Sequence, residues 1–385
     1  MKIMVFANGH EPAQKYGGPI TSLSNFVYNL GDSYDIDIVC SDHDLGDPTP
    51  LTGIKPGFNA VGKAQVLYIS DKERTFKNFD AIIKERKPDC LYLSSIFSAR
   101  LNVPLLKIAR RDKLKVVYAP RGELLDNAIR LKMFKKLVFL FLMRLSGLYR
   151  GIYFHATSDA EKSGTIKWLG VPEEKIFLIG EFPSLPPFKP TTDKRAGFLR
   201  IVSISRIHKS KNLIDAIKSV LNLSGNVTFD IYGPIEHADY WADCEKLIST
   251  APDNIKINYQ GVVEMGKAKS IFSKYDCFLF PTISENYSHS IAEAVLAGTI
   301  PVISRGTTPW DDIDSNGGFT LPLYDISAFT DKLQSLCEMD RDEYLNLTEK
   351  LCDYRKTKLD AKALFEKYRE MFGKVLENNF SGDAL

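Results

Sequence analysis

The chain alternates short, continuously apolar runs with segments of helical period almost from end to end, and it does so in two rounds. The first round holds the strand-like runs Lys2–Ala7, Ile36–Cys40, Gln65–Ile69, Cys90–Leu93, Lys115–Ala119 and Ile152–His155, with amphipathic stretches such as Lys72–Lys87 and Ala99–Arg111 between them. Apolar runs that lack a polar face belong to strands covered on both sides, which means parallel sheets flanked by helices. The pattern stops between Gly180 and Pro190, where Pro183, Pro186, Pro187 and Pro190 forbid a regular element. It then restarts with Leu199–Ser205, Val227–Tyr232, Ile255–Tyr259, Cys277–Phe280 and Pro301–Ser304, with helices opening at Asn212, Tyr240, Gly266 and Ser290. Charged helical sequence closes the chain. The expected organisation is an α/β domain over 1–183, a linker over 184–195, a second α/β domain over 196–360, and a helix with a tail over 361–385. Two such domains facing a cleft place the site at the carboxyl ends of their strands.

Charge narrows the function classes only locally. Fifty Lys and Arg stand against 48 Asp and Glu over 385 residues, so no overall field drives the surface onto nucleic acid. Between Arg110 and Arg150, however, eleven cationic residues meet three acidic ones. Within that stretch, Leu131–Arg144 is basic at one end and strongly apolar after it. Apolar residues run nearly all round it, which reads first as a buried core helix with a charged rim. The competing reading is peripheral docking to an anionic inner leaflet through 130–150. The longest wholly apolar run, Leu137–Met143, is far short of the roughly 20 residues a spanning helix needs. The opening residues read as a strand rather than a signal peptide, and the six scattered cysteines contain no C-x-x-C pair. A cytoplasmic protein with reduced thiols is expected, on the inner-membrane surface if the basic stretch docks.

The segment richest in chemistry runs from Phe280 to Ser304. A buried strand enters a polar turn holding Glu285, a helix holding Glu293 follows, and Gly298-Thr-Ile-Pro301 leads into the next strand. A helix N-terminus at the end of a parallel strand suits a phosphate, and carboxylates on either side suit sugar and ribose hydroxyls. Taken alone, Ser290-Ile-Ala-Glu293 is equally a capping box, with Glu293 in the first turn. In the same domain Arg206-Ile-His-Lys-Ser-Lys211 follows a strand and opens a helix, and two cations there can neutralise a departing diphosphate.

Together these motifs resemble the E-x7-E and R-x4-K signatures of retaining GT-B glycosyltransferases of glycosyltransferase family 4, of the bacterial surface-polysaccharide type. The resemblance implies two Rossmann-like domains facing a cleft, with the last helix crossing back to the first. It implies that Glu285 contacts the donor sugar, that Glu293 binds the ribose, and that Arg206 and Lys211 stabilise the leaving diphosphate. Asn286, Tyr287, Ser288 and His289 would lie near sugar and phosphates. Ser288 stands where the family usually has glycine, so a turn needing positive φ there would be strained. The Gly261–Val263 turn is similar to the family segment that reads the nucleobase, with a plain strand-to-helix turn as the alternative. Gly17 and Gly18, before Pro19, match a glycine pair at the donor phosphates, where an ordinary loop is the alternative.

In Ala119-Pro-Arg121-Gly-Glu123, Arg121 stands near where many members carry a histidine, and it would hold the donor diphosphate or an acidic acceptor. His155 and His10 are weaker candidates for that histidine's part, and Trp310 reads as packing. Asp35-Ile-Asp37 and Asp312-Ile-Asp314 read as surface carboxylates, so neither metal nor other cofactor is expected. Ser158 is expected to cap a helix with Glu161. The implied reaction moves a sugar from a UDP- or GDP-linked donor to a saccharide acceptor, lipid-linked, in capsule, O-antigen or exopolysaccharide synthesis. A sugar-nucleotide 2-epimerase and a non-catalytic nucleotide-sugar-binding subunit share the architecture and stay as alternatives.

Overall fold

The computed structural model describes residues 1–130, 132–183, 191, 193–264 and 266–377. Most of the predicted linker, including Pro186, Pro187 and Pro190, lies outside the described residues, as does Leu131. The chain divides into two compact units, Met1–Phe182 with Ala361–Leu385, and Pro183–Asp360.

Among the described residues the first unit carries strands β1 (Lys2–Phe6), β2 (Asp35–Ser41), β3 (Phe58–Val61), β4 (Ala64–Ile69), β5 (Cys90–Ser94), β6 (Lys115–Ala119), β7 (Tyr153–Ala156) and β8 (Ile176–Leu178). They form one sheet in the order β3-β4-β2-β1-β5-β6-β7-β8. Every pairing is parallel except β3 with β4. The helices are α1 (Gly18–Leu30), α2 (Phe76–Arg86), α3 (Ala99–Asp112), α4 (Asp126–Arg130), α5 (Met133–Ser146) and α6 (Asp159–Leu169). Each apolar run identified in the sequence is a strand, and all but Ile255–Tyr259, which lies at a sheet edge and is largely exposed, have neighbours on both sides. The three strands that the sequence reading left out, β3, β8 and one in the second unit, are three or four residues long and lie at sheet edges.

The second unit carries β9 (Phe198–Ile204), β10 (Asn226–Tyr232), β11 (Ile255–Gly261), β12 (Cys277–Phe280), β13 (Ile300–Ser304) and β14 (Phe319–Leu321). Its order, β11-β10-β9-β12-β13-β14, is parallel throughout and reverses direction between β9 and β12. That is the doubly wound arrangement, whose ligand crevice lies outside the carboxyl ends of the two strands at the reversal. Helices α7 (Leu213–Val220), α8 (Ala238–Ile248), α9 (Ala268–Phe272), α10 (His289–Ala297), α11 (Ile326–Glu338) and α12 (Arg341–Lys358) cover it.

A final helix, α13 (Ala361–Glu377), returns to the first unit. Tyr368 stacks on Phe182 at 4.7 Å and meets Phe26 edge-on, while Phe372 packs against Tyr34 and Tyr92. Five of the six cysteines are buried in these cores. No helix among the described residues is long and apolar enough to cross a membrane.

Two expectations need correction. Helix α5 is not a core helix: Leu140 and Met143 are buried, but Phe134, Val138, Phe141, Leu142 and Leu145 are exposed. The helix lies on the outside of the sheet layer, and one stripe of it suffices to seal the core. Asp37 is not a surface carboxylate either. It is fully buried and takes a two-pronged bond from Arg86, at 2.8 and 2.6 Å.

Candidate functional site

The reversal between β9 and β12 decides which predicted residues meet. Cys277 and Phe278 of β12 pair with Ile201 and Val202 of β9, so the loops that leave the two strands run side by side. The backbone locks them together: Ile283 N–H donates to Ser210 O at 2.9 Å, and the Thr282 hydroxyl lies 3.1 Å from the same carbonyl. Lys211 at the end of the first loop then reaches Glu285 in the second, and the two form an ion pair. Both side chains keep only 13% exposure, and Thr282 Oγ1 stands 2.9 Å from the same carboxylate oxygen. From its other side the Glu285 N–H donates to Thr307 O, 2.8 Å away in the loop after β13. Three strand ends thus fix one carboxylate and one ammonium.

Arg206 does not join that pair. Its half-exposed guanidinium binds Glu236 at 2.5 Å, in the loop after β10. His208 lies on the same side, its ring 4.9 Å from that of His237, and burial holds its pKa below the usual value. The loops at this edge are drawn together by Gly233, at φ +140°: a Cβ there would lie 1.8 Å from Ser205 O, so only glycine fits. Gly233 N–H in turn donates to Gly261 O at 2.8 Å, which ties the end of β11 into the cluster. Gly261 itself has φ +82° with open space where a side chain would project, and Val263 and Tyr287 each pack against the same apolar core. Gly233 and Thr282 are the residues that motif reading missed. The Gly-Pro dipeptide at 233–234 is the signal that marks the first as a turn.

Helix α10 begins one residue earlier than its sequence pattern suggests. Ser288, at φ +67° and ψ +86°, is its N-cap, and the Ser288 side chain makes no capping hydrogen bond. The left-handed backbone falls on the serine that replaces glycine, a strained geometry for a residue with a Cβ. The first turn of a helix lacks intrahelical acceptors for its N–H groups and carries the positive end of the dipole, so an uncapped start here favours an anion. Glu293 consequently sits in the second turn, and the capping-box reading of Ser290-Ile-Ala-Glu293 is overturned. Asn286 and Tyr287 are half-buried in the turn, with Tyr287 beside His289 and Trp310. Trp310 is buried, and its Nε1–H donates to Tyr287 O at 2.5 Å, a packing residue that anchors the turn.

Burial raises the Glu293 carboxyl to about 7, partly offset by Lys269 of α9. Its folded pKa exceeds the unfolded value, so its contribution to stability is present below about pH 4.5 and is lost as the pH rises through 7. The Glu293→Gln variant is therefore expected to match wild type at pH 5 and to melt a few degrees higher at pH 8. Calorimetry at the two pH values checks this, and an equal difference at both contradicts it.

In the first unit the loop after β1 ends at Gly17, the N-cap of α1 with φ +65°, followed by Gly18 at the first helical position and Pro19 at the second. Arg121, expected as a phosphate- or acceptor-binding cation, is committed to the interior. Its guanidinium pairs with Glu181 and donates to Tyr92 Oη at 3.2 Å. Tyr92 Oη lies 2.6 Å from His155 Nδ1, and His155 Nε2 lies 2.8 Å from Ile179 O. The carbonyl can only accept, so Nε2 carries the proton and Tyr92 donates to Nδ1. Burial, then Arg121, lower the His155 pKa to about 4, which makes it a neutral structural histidine. His10 is also buried with a pKa lowered to about 4, and its Nδ1 has no hydrogen-bond partner among the described residues. Ser158 caps α6 by accepting from Glu161 N–H at 3.2 Å. Glu161 accepts from Thr157 N–H at 2.8 Å and from the Gly122 N–H beside Arg121.

Asp312 binds Tyr354 Oη and Lys358, and Asp314 accepts from Thr320 N–H. Among the described residues, no group of three His, Cys, Asp or Glu side chains is placed to hold a metal ion.

Residues 188–353 match the family model described as "Glycosyl transferases group 1". A search of curated proteins returns no match. Among solved structures, Alr3699/HepE of Anabaena, in complex with UDP and glucose, aligns with a TM-score of 0.74 at 13% identity, covering 97% of this chain and 100% of that one. The sucrose-phosphate synthase of Thermosynechococcus elongatus aligns with a TM-score of 0.71 at 14% identity, over 97% and 99% of the two chains. The apo lipopolysaccharide outer core galactosyltransferase WaaB aligns at 0.63 and 16%, again over 97% and 99%. At such identities the likeness is one of fold, and the fold is GT-B, as the sequence motifs implied.

Proposed function

We propose that the chain is a retaining glycosyltransferase that moves a sugar from a nucleoside-diphosphate donor to a saccharide acceptor. The observation that carries this reading is the Lys211–Glu285 pair at the strand-order reversal of the second unit, beside the uncapped start of α10. A UDP-linked donor is the first to test, because the Anabaena neighbour was solved with UDP and glucose. A lipid-linked saccharide of surface-polysaccharide synthesis is the acceptor class this reading favours.

In this account the donor diphosphate lies at the N-terminus of α10, and Lys211 places a compact positive charge beside it. Arg206 adds a second charge when it exchanges Glu236 for phosphate. Glu285 accepts hydrogen bonds from sugar hydroxyls and orients the ring, while Glu293 does the same for the ribose. Gly261 and Val263 border the base. The bond from the anomeric carbon to the diphosphate oxygen breaks with its electron pair going to the phosphate. The acceptor oxygen bonds to the same face of that carbon and passes its proton to the departing phosphate oxygen. No side-chain base is needed, and the two cations neutralise the charge that a metal would otherwise meet.

A thermal-shift panel of nucleotide sugars tests the reading. One donor is expected to raise the melting midpoint by several degrees, and the gain is expected to vanish in Glu293→Ala and Arg206→Ala. A flat response to every UDP- and GDP-sugar contradicts it.

A further inference from the structure

On α5 the exposed apolar residues Phe134, Val138, Phe141, Leu142 and Leu145 recur at i, i+4, i+7, i+8 and i+11. At 100° per residue they share an arc of about 100°, opposite the buried Leu140 and Met143. Phe134 is 81% exposed, Leu145 69% and Phe141 62%. From Phe134 to Leu145 the stripe runs about 17 Å along the helix axis. Scattered exposed apolar residues are ordinary, but a contiguous stripe that includes two phenylalanines marks a docking surface.

The charges around the stripe identify its occupant. Exposed Lys135 and Arg144 follow on its two margins, and Lys132 precedes the helix. Arg110 reaches the far end, with Nη1 3.2 Å from Ser146 O, and Arg150 sits beside Gly147 at the same end. From Lys132 to Arg150 the chain has five cations and no acid. A second copy meeting this face in a two-fold dimer would oppose like-charged rims. A bilayer bearing anionic headgroups satisfies both features at once, taking the apolar stripe below the headgroups and the cationic margins at their level. We propose that α5 lies in the interface plane of an anionic membrane and docks the protein there without crossing it. This stands on the surface of the first unit alone, whatever the chemistry of the second.

The test is cosedimentation of the full chain with vesicles of phosphatidylcholine, with and without phosphatidylglycerol. Wild type is expected to bind the anionic vesicles and to be released by salt. Phe134→Ser/Phe141→Ser and Lys135→Glu/Arg144→Glu are each expected to weaken binding by about tenfold or more, with the melting midpoint unchanged, because all four side chains are exposed. Failure of wild type to bind, equal binding to neutral vesicles, or unchanged binding by either double variant overturns the proposal. So does a wild-type dimer that the serine variant splits while neither protein binds vesicles. Loss of vesicle binding with the donor-induced thermal shift intact separates this proposal from the sugar-transfer reading.

Discussion

Lys211→Ala is expected to slow sugar transfer by roughly a hundred- to a thousandfold, the scale on which removal of one preorganised charge from a developing anion is felt. The effect rests on position. Lys211 is held where the loop after β9 abuts the loop after β12, and with Glu285 it keeps only 13% exposure. A charge fixed there in advance costs little reorganisation when negative charge builds on the leaving diphosphate. The variant also leaves Glu285 with Thr282, at 2.9 Å, as its remaining side-chain partner among the described residues, and an undercompensated carboxylate costs about 1–3 kcal/mol of stability. The double variant Lys211→Ala/Glu285→Gln should therefore recover stability without recovering activity. Steady-state kinetics and urea unfolding of both variants separate the two effects. A fall in rate below about threefold for Lys211→Ala contradicts the role given to the ammonium.

Arg121→Ala and Glu181→Ala are each expected to destabilise the first unit by about 3–5 kcal/mol, lowering its midpoint by roughly 10 °C. Arg121 keeps 13% side-chain exposure and Glu181 only 4%. Burial works against the guanidinium's charge, but Glu181, Tyr92, Tyr368 and Glu161 together outweigh it, so the arginine's pKa rises above its ordinary value. Removing either partner strands a charge in the interior and also breaks the chain of hydrogen bonds through Tyr92 to His155. Replacement of both by apolar residues, Arg121→Met/Glu181→Leu, should cost much less than either single change. The donor-induced thermal shift should survive in all three, because Arg206, Lys211, Glu285 and Glu293 belong to the second unit. Calorimetry decides. A midpoint within about 2 °C of wild type for Arg121→Ala contradicts the structural role.

What the sequence reveals follows from how local each feature is. The central strands are legible because burial on both faces leaves continuous apolar runs such as Cys277–Phe280, whereas β3, β8 and β14 are too short and too near an edge to carry a pattern. The pairing of Lys211 with Glu285 across 74 residues is legible once the parallel order is assumed, since both follow strands at its reversal. The Arg121–Glu181 pair spans 60 residues with no motif at its second member, and it emerges only when β6 and the segment after β8 are brought together. The Glu293 misreading has a local cause: left-handed Ser288, two residues before Ser290, is the N-cap of α10, which moves the carboxylate from the first turn to the second. On α5, composition alone does not distinguish an apolar stripe that seals the core from one that faces outward.

The central claim is that the carboxyl ends of β9 and β12 hold a nucleotide sugar. Amide hydrogen exchange, with and without whichever nucleotide sugar stabilises the protein, tests it most directly. The account predicts slowed exchange in 205–212 and 281–298, lost in Lys211→Ala. Protection confined to other segments, or no protection at saturating donor, contradicts it.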